Sequence, residues 1–354
     1  MRPLEGCLVI DFSTLLPGPL ATLLLAEAGA EVIKIERPGG EDLRSWEPRW
    51  GTDSVHFAML NRGKKTIEID LRDAKARDAL QSLLARADVL VEQFRPGVMA
   101  RLGLDYDAVA RINPRIIYCS ITGYGQHGPK SGVAAHDLNY IAETGLLSLS
   151  MGRASHPVIP PALIADIAGG SYPAVMNILL ALRERDHTGR GRHLDVSMTD
   201  NLFTLMYWAI GQGLVSGEWP GNGTALLTGA SPRYRLYATK DGRMLAVGAL
   251  EQKFWDTFCA VINLDPGLRD DAVDPTATAS RITEIVASET ADAWARRIEG
   301  RDCCCSIVST VEQAMNDPHF VARGVFRHLI RGENGQTLPA LPVPVDHAFR
   351  GSRG

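Results

Sequence analysis

Several features that mark other protein classes are missing from this 354-residue sequence. It has no run of about 18 apolar residues, the length that a membrane-spanning helix needs, so no membrane segment is predicted. The N-terminal residues lack the basic stretch and cleavable apolar stretch of a secretion signal, and we therefore expect a cytoplasmic protein. The net charge of -4 comes without a basic block, which argues against a general nucleic-acid binder.

The cysteines do not form a metal-binding or disulfide pattern. They occur at positions 7, 119, 259 and 303 to 305, without paired C-x-x-C spacing. The adjacent Cys303, Cys304 and Cys305 cannot easily converge on one tetrahedral ion, and no histidine lies close to them in sequence. The sequence therefore predicts neither a metal site nor a secreted disulfide framework.

A glycine-rich dinucleotide motif is also missing. The first predicted strand is followed by the sequence STLLPGP at positions 13–19 instead of G-x-G-x-x-G. This argues against a nicotinamide-dependent enzyme. The prolines there fit the first turn of a helix.

The first 125 residues alternate short β-rich runs with helical patterns. Such alternation predicts an α/β fold with a mostly parallel, Rossmann-like sheet covered by helices, and ligands in such folds bind beyond the carboxyl ends of the strands. Helices are predicted at 20–28 and 73–87. The predicted strands are 7–12, 31–36, 66–71, 89–94 and 116–122.

A change in pattern divides the chain into two domains. A strand at 193–198 and an apolar helix at 200–215 complete a large domain over 1–216. The Gly- and Pro-rich stretch 217–223 is typical of a linker. Beyond it, a hairpin formed by 235–238 and 244–248 precedes several helices, which predicts a smaller α+β domain over 224–325.

Three separated residues carry the prediction of chemistry. His136 precedes a helical pattern, and the dipole at a helix N-terminus favours a neutral imidazole that can accept a proton. Asp166 lies among apolar residues, so desolvation is expected to raise its pKa. Taken singly, His136 also fits a packed or capping histidine, Asp166 a helix cap, and Glu251 a solvated residue at a helix start. A histidine and a carboxylate on opposite faces of one carbon can instead exchange its proton and invert it.

Short motifs in a fixed order extend over most of the chain. They are GAEVIKIERP at 29–38, NRGKKT at 61–66, FRPGV at 94–98, RLGL at 101–104, GYGQHGP at 123–129, AHDLNYI at 135–141 and NDPHFVARG at 316–324. Any one of them is weak evidence. In this order, together with Asp166 and Glu251, they resemble the α-methylacyl-CoA racemases of the family III CoA-transferase superfamily.

The resemblance implies an assembly as well as a fold. Members of that family form an interlocked homodimer, with the active site between the large domain of one subunit and the small domain of its partner. Glu251 is then expected across a subunit boundary from His136 and Asp166. The resemblance also implies that 326–354 returns to the large domain, and that the partner is an acyl-CoA substrate, with no metal and no further cofactor.

The resemblance assigns roles to site residues. His136 and Asp166 are the two acid/bases, and Glu251 orients the imidazole and stabilises its protonated form. The backbone N–H of Asp137, at a helix N-terminus, is our candidate donor to the enolate oxygen. The phosphates and pantetheine of CoA are expected to contact Arg37, Arg62, Lys65, Arg95, Tyr124 and Gly125.

The first hypothesis is therefore a cofactor-independent racemase of 2-methylacyl-CoA thioesters that acts by 1,1-proton transfer. The alternative is a family III CoA-transferase, in which Asp166 is the nucleophile. Glu251 favours the racemase, since the transferase branch usually has another residue there. A non-catalytic acyl-CoA-binding protein is less favoured, because all three site residues are present.

One segment departs from the racemase pattern. Where racemases often have Ala-Pro-Phe/Tyr-Tyr, this chain has Ser231-Pro232-Arg233-Tyr234-Arg235. Two arginines there predict an altered acyl pocket, and a carboxylated acyl group is one hypothesis for what it accepts.

Overall fold

The computed structural model describes residues 2–153, 155–332 and 335–350. Within these ranges the chain packs into two compact units. The first contains residues 2–144 and 160–206 and the described residues from 319 onward, and the second contains 145–159 and 207–318. The division differs from the predicted segments in that 145–159 and 207–216 belong to the second unit and 319–325 to the first.

The strands are short and distributed over both units. In chain order they are β1 Leu8–Asp11, β2 Glu31–Glu36, β3 Arg49–Trp50, β4 Asp53–Ser54, β5 Lys65–Glu68, β6 Val89–Glu92, β7 Ile117–Thr122, β8 Gly152–Arg153, β9 His156–Pro157, β10 Arg192–Ser197, β11 Tyr234–Ala238, β12 Met244–Gly248, β13 Cys305–Ile307, β14 Leu329–Arg331 and β15 Thr337–Pro339.

The α-helices alternate with the strands in the first half of the chain. In chain order they are α1 Pro17–Glu27, α2 Val55–Asn61, α3 Ala74–Leu84, α4 Val98–Arg101, α5 Tyr106–Ile112, α6 Asp137–Glu143, α7 Tyr172–Thr188, α8 Met198–Leu202, α9 Tyr207–Ser216, α10 Gln252–Val261, α11 Pro275–Ala287, α12 Ala291–Ile298, α13 Val311–Met315 and α14 Pro318–Ala322. A π-helix, Ala165–Ser171, precedes α7 directly.

The first unit is built on a six-stranded parallel sheet, which confirms the predicted α/β class. Its strand order is β10-β7-β6-β1-β2-β5, and every pairing within it is parallel. Strands β1, β6 and β7 are buried along their whole length, as expected for apolar strands covered on both faces. The strand order reverses direction between β1 and β6, so the crevice at their carboxyl ends is the expected ligand site.

The helices beside this sheet supply its core. Leu80 and Leu84 of α3 and Val109 of α5 pack with Ile10 and Leu90 of the sheet, and all five side chains are fully buried. Pro17 begins α1, as the sequence predicts, because proline has no N–H to leave unpaired in a first turn.

The predicted helix at 200–215 is helical throughout in the structure, but it is not one uniform α-helix. The structure has α8, then a 3₁₀ segment Phe203–Met206, then α9. Helix α8 is tied to the first unit, because Asn201 Nδ2 donates to the Gly169 carbonyl at 2.8 Å and Ser197 Oγ caps the helix start. The chain passes into the second unit at Tyr207, the first residue of α9.

The second unit contains a three-stranded antiparallel sheet in the order β11-β12-β13. Strands β11 and β12 form the predicted hairpin. Trp255 and Phe258 of α10, Ile282 of α11 and Trp294 of α12 fill its core, and all four are fully buried. This arrangement confirms the smaller α+β domain.

In the described part of the chain, one helical stretch is long and apolar enough to cross a membrane by length and composition alone. It is Ala165–Thr188, the π-helix followed by α7. The stretch lies against β7 and β10, and Arg185 within it donates to Asp88 Oδ1 at 2.8 Å. A core helix of a soluble protein passes the same test, so this stretch is weak evidence for a membrane span.

Candidate active site

His136 directly precedes helix α6 as its N-cap residue. Its backbone is extended (φ -128°), and its N–H donates to the side chain of Asn139 at 3.1 Å while its carbonyl accepts from the Asn139 N–H at 2.8 Å. This reciprocal pairing fixes the backbone at the helix start. The imidazole itself is exposed and therefore accessible to a substrate.

Asp166 lies in the first turn of the π-helix, a type of helix that occurs often at functional sites. Its backbone N–H donates to Asp137 Oδ1 at 3.0 Å, which ties the π-helix to α6. Gly169 and Gly170 allow the π-helix to approach Met198 of α8 closely. A Cβ on Gly169 would lie 2.4 Å from the Met198 carbonyl oxygen, so no larger residue fits without displacement.

His136 and Asp166 line the same cavity, which has a volume of about 380 Å³. It lies at the carboxyl ends of β6 and β7 and beside the loop after β1, where the topology predicts a ligand site. The lining residues that belong to those strand ends and loops are Leu15, Pro17, Gln93, Phe94, Arg95, Pro96, Thr122, Gly123 and Tyr124. His136 and Asp166, the predicted acid/base pair, therefore share this cavity with Arg95 and Tyr124.

The charge on Asp166 is disfavoured by its surroundings. Burial raises the pKa of Asp166 to about 7, and the negative charge of Asp137 adds to that rise. The apolar sequence around Asp166 predicts the first cause, whereas the second depends on the approach of α6. A carboxyl group with a pKa near 7 can both donate and accept a proton at neutral pH.

Asp137 has a role that the sequence analysis missed. It is the first residue of α6, so its N–H is not used by the helix and remains our candidate oxyanion donor. Its buried side chain additionally positions Asp166 through the hydrogen bond to the Asp166 N–H. A pairing between residues 29 positions apart cannot be derived from local sequence.

Tyr140 and Gly123 were also missed. Tyr140 lines the cavity, and its hydroxyl donates to the Ala135 carbonyl at 2.9 Å. Burial first, and the Asp166 charge second, raise the pKa of Tyr140 to about 12, so it stays protonated. A Cβ on Gly123 would lie 2.4 Å from the Tyr140 ring, which explains a glycine directly after β7.

Three further CoA-binding candidates, Gly125, Arg37 and Lys65, belong to the first unit but do not line this cavity. Gly125 adopts φ +80°, a conformation that favours glycine, and a Cβ there would lie 3.5 Å from Asp195 Oδ2. Arg37 pairs with Asp42, and Lys65 pairs with Glu31 at 2.7 Å. Both arrangements are exposed, so these cations remain accessible and their CoA-binding role stays a prediction.

Arg62 is engaged within the protein. Its guanidinium donates to Glu27 Oε1 at 2.7 Å, to the Met59 carbonyl at 2.9 Å and to the Leu341 carbonyl at 2.8 Å. These bonds connect α1 and α2 to the C-terminal segment of the first unit. Arg62 does not line the cavity of His136 and Asp166, and its predicted contact with CoA stays a prediction.

Glu251 belongs to the second unit. It is the residue before the first turn of α10, and its side chain is exposed. Its pairing with His136 stays a prediction. Among the residues that the structure describes, no group of three or more His, Cys, Asp or Glu side chains is placed to hold a metal ion.

A buried network of charges supports the loop between β1 and α1. Lys64 Nζ lies 3.2 Å from Asp11 Oδ2, and Lys34 Nζ lies 3.0 Å from Glu41 Oε1, with all four side chains almost completely buried. Burial acts to raise the pKa of Asp11, but Lys64 and then Lys34 outweigh it and hold the pKa at about 2. Burial lowers the pKa of Lys64 to about 8 despite the Asp11 charge.

This network holds the loop backbone directly. Lys34 Nζ donates to the Ser13 carbonyl at 2.6 Å, and the Leu15 N–H donates to Glu41 Oε2 at 2.7 Å. Leu15 has φ +62°, a strained conformation for a leucine, which persists because both neighbouring groups are fixed. Since Leu15 and Pro17 line the cavity, the network shapes the candidate active site.

Comparison with known proteins agrees with this fold. The model of CoA-transferase family III matches residues 4–351, and the chain belongs to this family. It is thus an enzyme of the family III CoA-transferase superfamily.

Individual relatives include both branches of that superfamily. Human alpha-methylacyl-CoA racemase is 33% identical over 97% of this chain and 86% of its own length. Mouse succinyl-CoA:glutarate CoA-transferase is 37% identical over 77% of this chain and 62% of its own length. The crystal structure of a CAIB/BAIF family protein from Brucella suis superposes with a TM-score of 0.82 at 27% identity, covering 98% of this chain and 93% of that one.

Proposed function

We propose that this protein is a cofactor-independent racemase of 2-methylacyl-CoA thioesters. The observation that carries the proposal is the placement of His136 and Asp166 in one cavity, with the pKa of Asp166 raised to about 7. Two groups that can each donate or accept a proton, one on either face of the α-carbon, are what 1,1-proton transfer requires. The raised pKa also keeps a proton available on the carboxyl group at physiological pH.

The reaction proceeds through an enolate. His136 removes the α-proton of one enantiomer, and the electron pair of the C–H bond moves onto the thioester oxygen. The N–H of Asp137 stabilises that oxygen. The Asp166 carboxyl group then delivers a proton to the opposite face, which leaves an imidazolium and a carboxylate. The reverse reaction, or proton exchange with water, restores the starting protonation state.

The assembly is part of the proposal. We propose that Glu251 of one subunit orients His136 of its partner, which makes dimerisation a condition of activity. Exposed apolar side chains support a subunit interface, because soluble monomers rarely expose large apolar patches. They include Met176 and Leu180 on α7 and Tyr207, Leu214 and Val215 on α9.

Exchange of the α-proton with solvent tests the proposal. The protein is incubated in deuterated water with (R)- and (S)-2-methylacyl-CoA of several chain lengths, without an acceptor acid, and the products are analysed by mass spectrometry and proton NMR. Deuterium incorporation with loss of stereochemical purity is expected. His136→Ala and Asp166→Ala should each abolish it, and an Asp166→Ala protein with full activity would refute the mechanism.

The second candidate is a CoA-transferase, and the specific observation that favours it is the position of the Asp166 carboxyl group in the cavity. In that reaction the Asp166 carboxylate attacks the thioester, CoA leaves as a thiolate, and an aspartyl anhydride forms. The CoA thiolate then attacks the aspartyl carbon, releases the first acid and leaves an aspartyl-CoA thioester. The acceptor carboxylate attacks that thioester and expels the CoA thiolate, which then attacks the acceptor carbonyl of the new anhydride to give the product thioester and restore the Asp166 carboxylate. Absence of deuterium incorporation, together with transfer of CoA to an added carboxylic acid, would establish this alternative.

A further inference from the structure

The second unit contains a cavity of its own, about 730 Å³ in volume, that none of the proposed catalytic roles uses. It lies between the β11-β12 hairpin, the β8-β9 hairpin and the segment 222–229, all of which belong to that unit. Its apolar lining comes from Leu149, Val158, Leu227, Leu236 and Val247.

The charged residues of this cavity all have one sign. Arg153 and Arg235 line it, and no aspartate or glutamate does. Neither arginine forms an ion pair with any residue in the described part of the chain. Two unneutralised guanidinium groups in one concave surface favour an anion there.

The neighbouring Arg233 shows the contrast. Its Nε donates to Asp271 Oδ1 at 2.9 Å, its Nη2 donates to the same oxygen at 2.7 Å, and its guanidinium lies 4.9 Å from the centre of the Trp255 ring. Arg233 is therefore neutralised inside the unit. Of the two arginines that depart from the racemase pattern, only Arg235 lines the cavity.

We infer that this cavity binds the carboxylate of an aliphatic acid, with Arg153 and Arg235 holding the carboxylate and the apolar side chains holding the chain. Guanidinium groups match the planar geometry of a carboxylate. The apolar lining distinguishes an aliphatic acid from an inorganic anion. The acid is either a free carboxylic acid or the second carboxyl group of an acyl thioester, and the latter source rests on the proposed function.

Binding is tested first with hexanoate and with hexanamide, its uncharged match, by ligand-observed NMR on the whole protein. We expect hexanoate to bind about fivefold more tightly, the upper end of the effect of one solvent-accessible ion pair. Arg153→Gln and Arg235→Gln should each remove most of this preference. Arg296→Gln is the matched control, since Arg296 is exposed on α12 and does not line the cavity.

The source is tested with 2-methylacyl-CoA thioesters that carry either an ω-carboxylate or its methyl ester. Faster α-proton exchange of the carboxylated thioester, lost in Arg235→Gln, assigns the site to the acyl group. Hexanoate binding without such a difference assigns it to a free acid. If the wild-type protein exchanges the α-proton of no thioester but still binds hexanoate, the racemase proposal is refuted and the inference about this cavity stands. Equal binding of hexanoate and hexanamide, or equal loss in all three variants, overturns the inference.

Discussion

Replacing Asp166 with asparagine should abolish α-proton exchange and make the protein more stable at neutral and alkaline pH. The pKa of Asp166 is raised by burial, and then by Asp137, from 3.8 to about 7. A folded-state pKa above the unfolded value means that the folded state binds the proton more tightly. Stability is therefore lost as the pH rises from about 4 to about 7, and the loss is complete above pH 7.

The size of the gain follows from the same pKa. Each pKa unit corresponds to about 1.4 kcal/mol, which sets an upper limit of about 4 kcal/mol for a fully desolvated group. Asp166 is only partly buried, so we expect Asp166→Asn to gain about 1 to 3 kcal/mol at pH 8 and little at pH 4. Asparagine has nearly the same shape as a protonated aspartic acid and carries no charge at either pH.

The measurement is urea denaturation followed by circular dichroism at pH 4 and pH 8, at one protein concentration, with deuterium exchange measured on the same samples. Asp186→Asn, at an exposed position on α7, is the control and should change stability by less than about 0.5 kcal/mol. A stability gain in Asp166→Asn that is absent or equal at both pH values would refute the reasoning. Loss of exchange without a gain would indicate a structural cap rather than a desolvated acid/base.

Three further predictions test the surroundings of the site. Lys34→Met leaves Glu41 buried without its cation and should lower the free energy of unfolding by about 3 to 5 kcal/mol, measured by urea denaturation. Lys65→Met breaks an exposed Lys–Glu pair on the same sheet and should lower it by less than about 1 kcal/mol. Similar losses in the two variants would contradict the role of burial. Asp137→Asn removes a charge that raises the pKa of Asp166, so the limb of the pH profile that reports the Asp166 carboxyl group should move to lower pH, and an unchanged profile would exclude that coupling. Gly123→Ala pushes Tyr140 out of place and should lower kcat/KM for exchange by about tenfold or more, and near-wild-type activity would show that the ring is not needed there.

The overall fold was predictable because its signal is local. Alternating β-rich runs and helical patterns identify the parallel strands, and a parallel sheet brings successive strand ends to one edge. The hairpin of β11 and β12 was predictable for the same reason, since Lys240-Asp241-Gly242-Arg243 forms a short turn between two apolar runs. That Arg95 and Tyr124 line one cavity was predictable too, because they follow the neighbouring strands β6 and β7.

The buried charges were not predictable, because their partners are distant in sequence. Lys34 lies in the strand sequence EVIKIE, where alternation alone suggests an exposed residue. It is fully buried because Glu41 and the Ser13 carbonyl come from loops that cover this part of the sheet. The ion pair between Arg62 and Glu27 of α1 was not predictable for the same reason, since the two residues are 35 positions apart.

The pKa of Asp166 also separates the two candidate reactions. A nucleophilic carboxylate must be ionised, so a transferase that depends on Asp166 should speed up as the pH rises through about 7 and then level off. A racemase needs one proton shared between His136 and Asp166, so its rate should fall on both sides of an optimum. At pH 7 about half of the Asp166 groups carry a proton, which suits proton exchange better than nucleophilic attack. The shape of the pH profile therefore distinguishes the two candidate reactions.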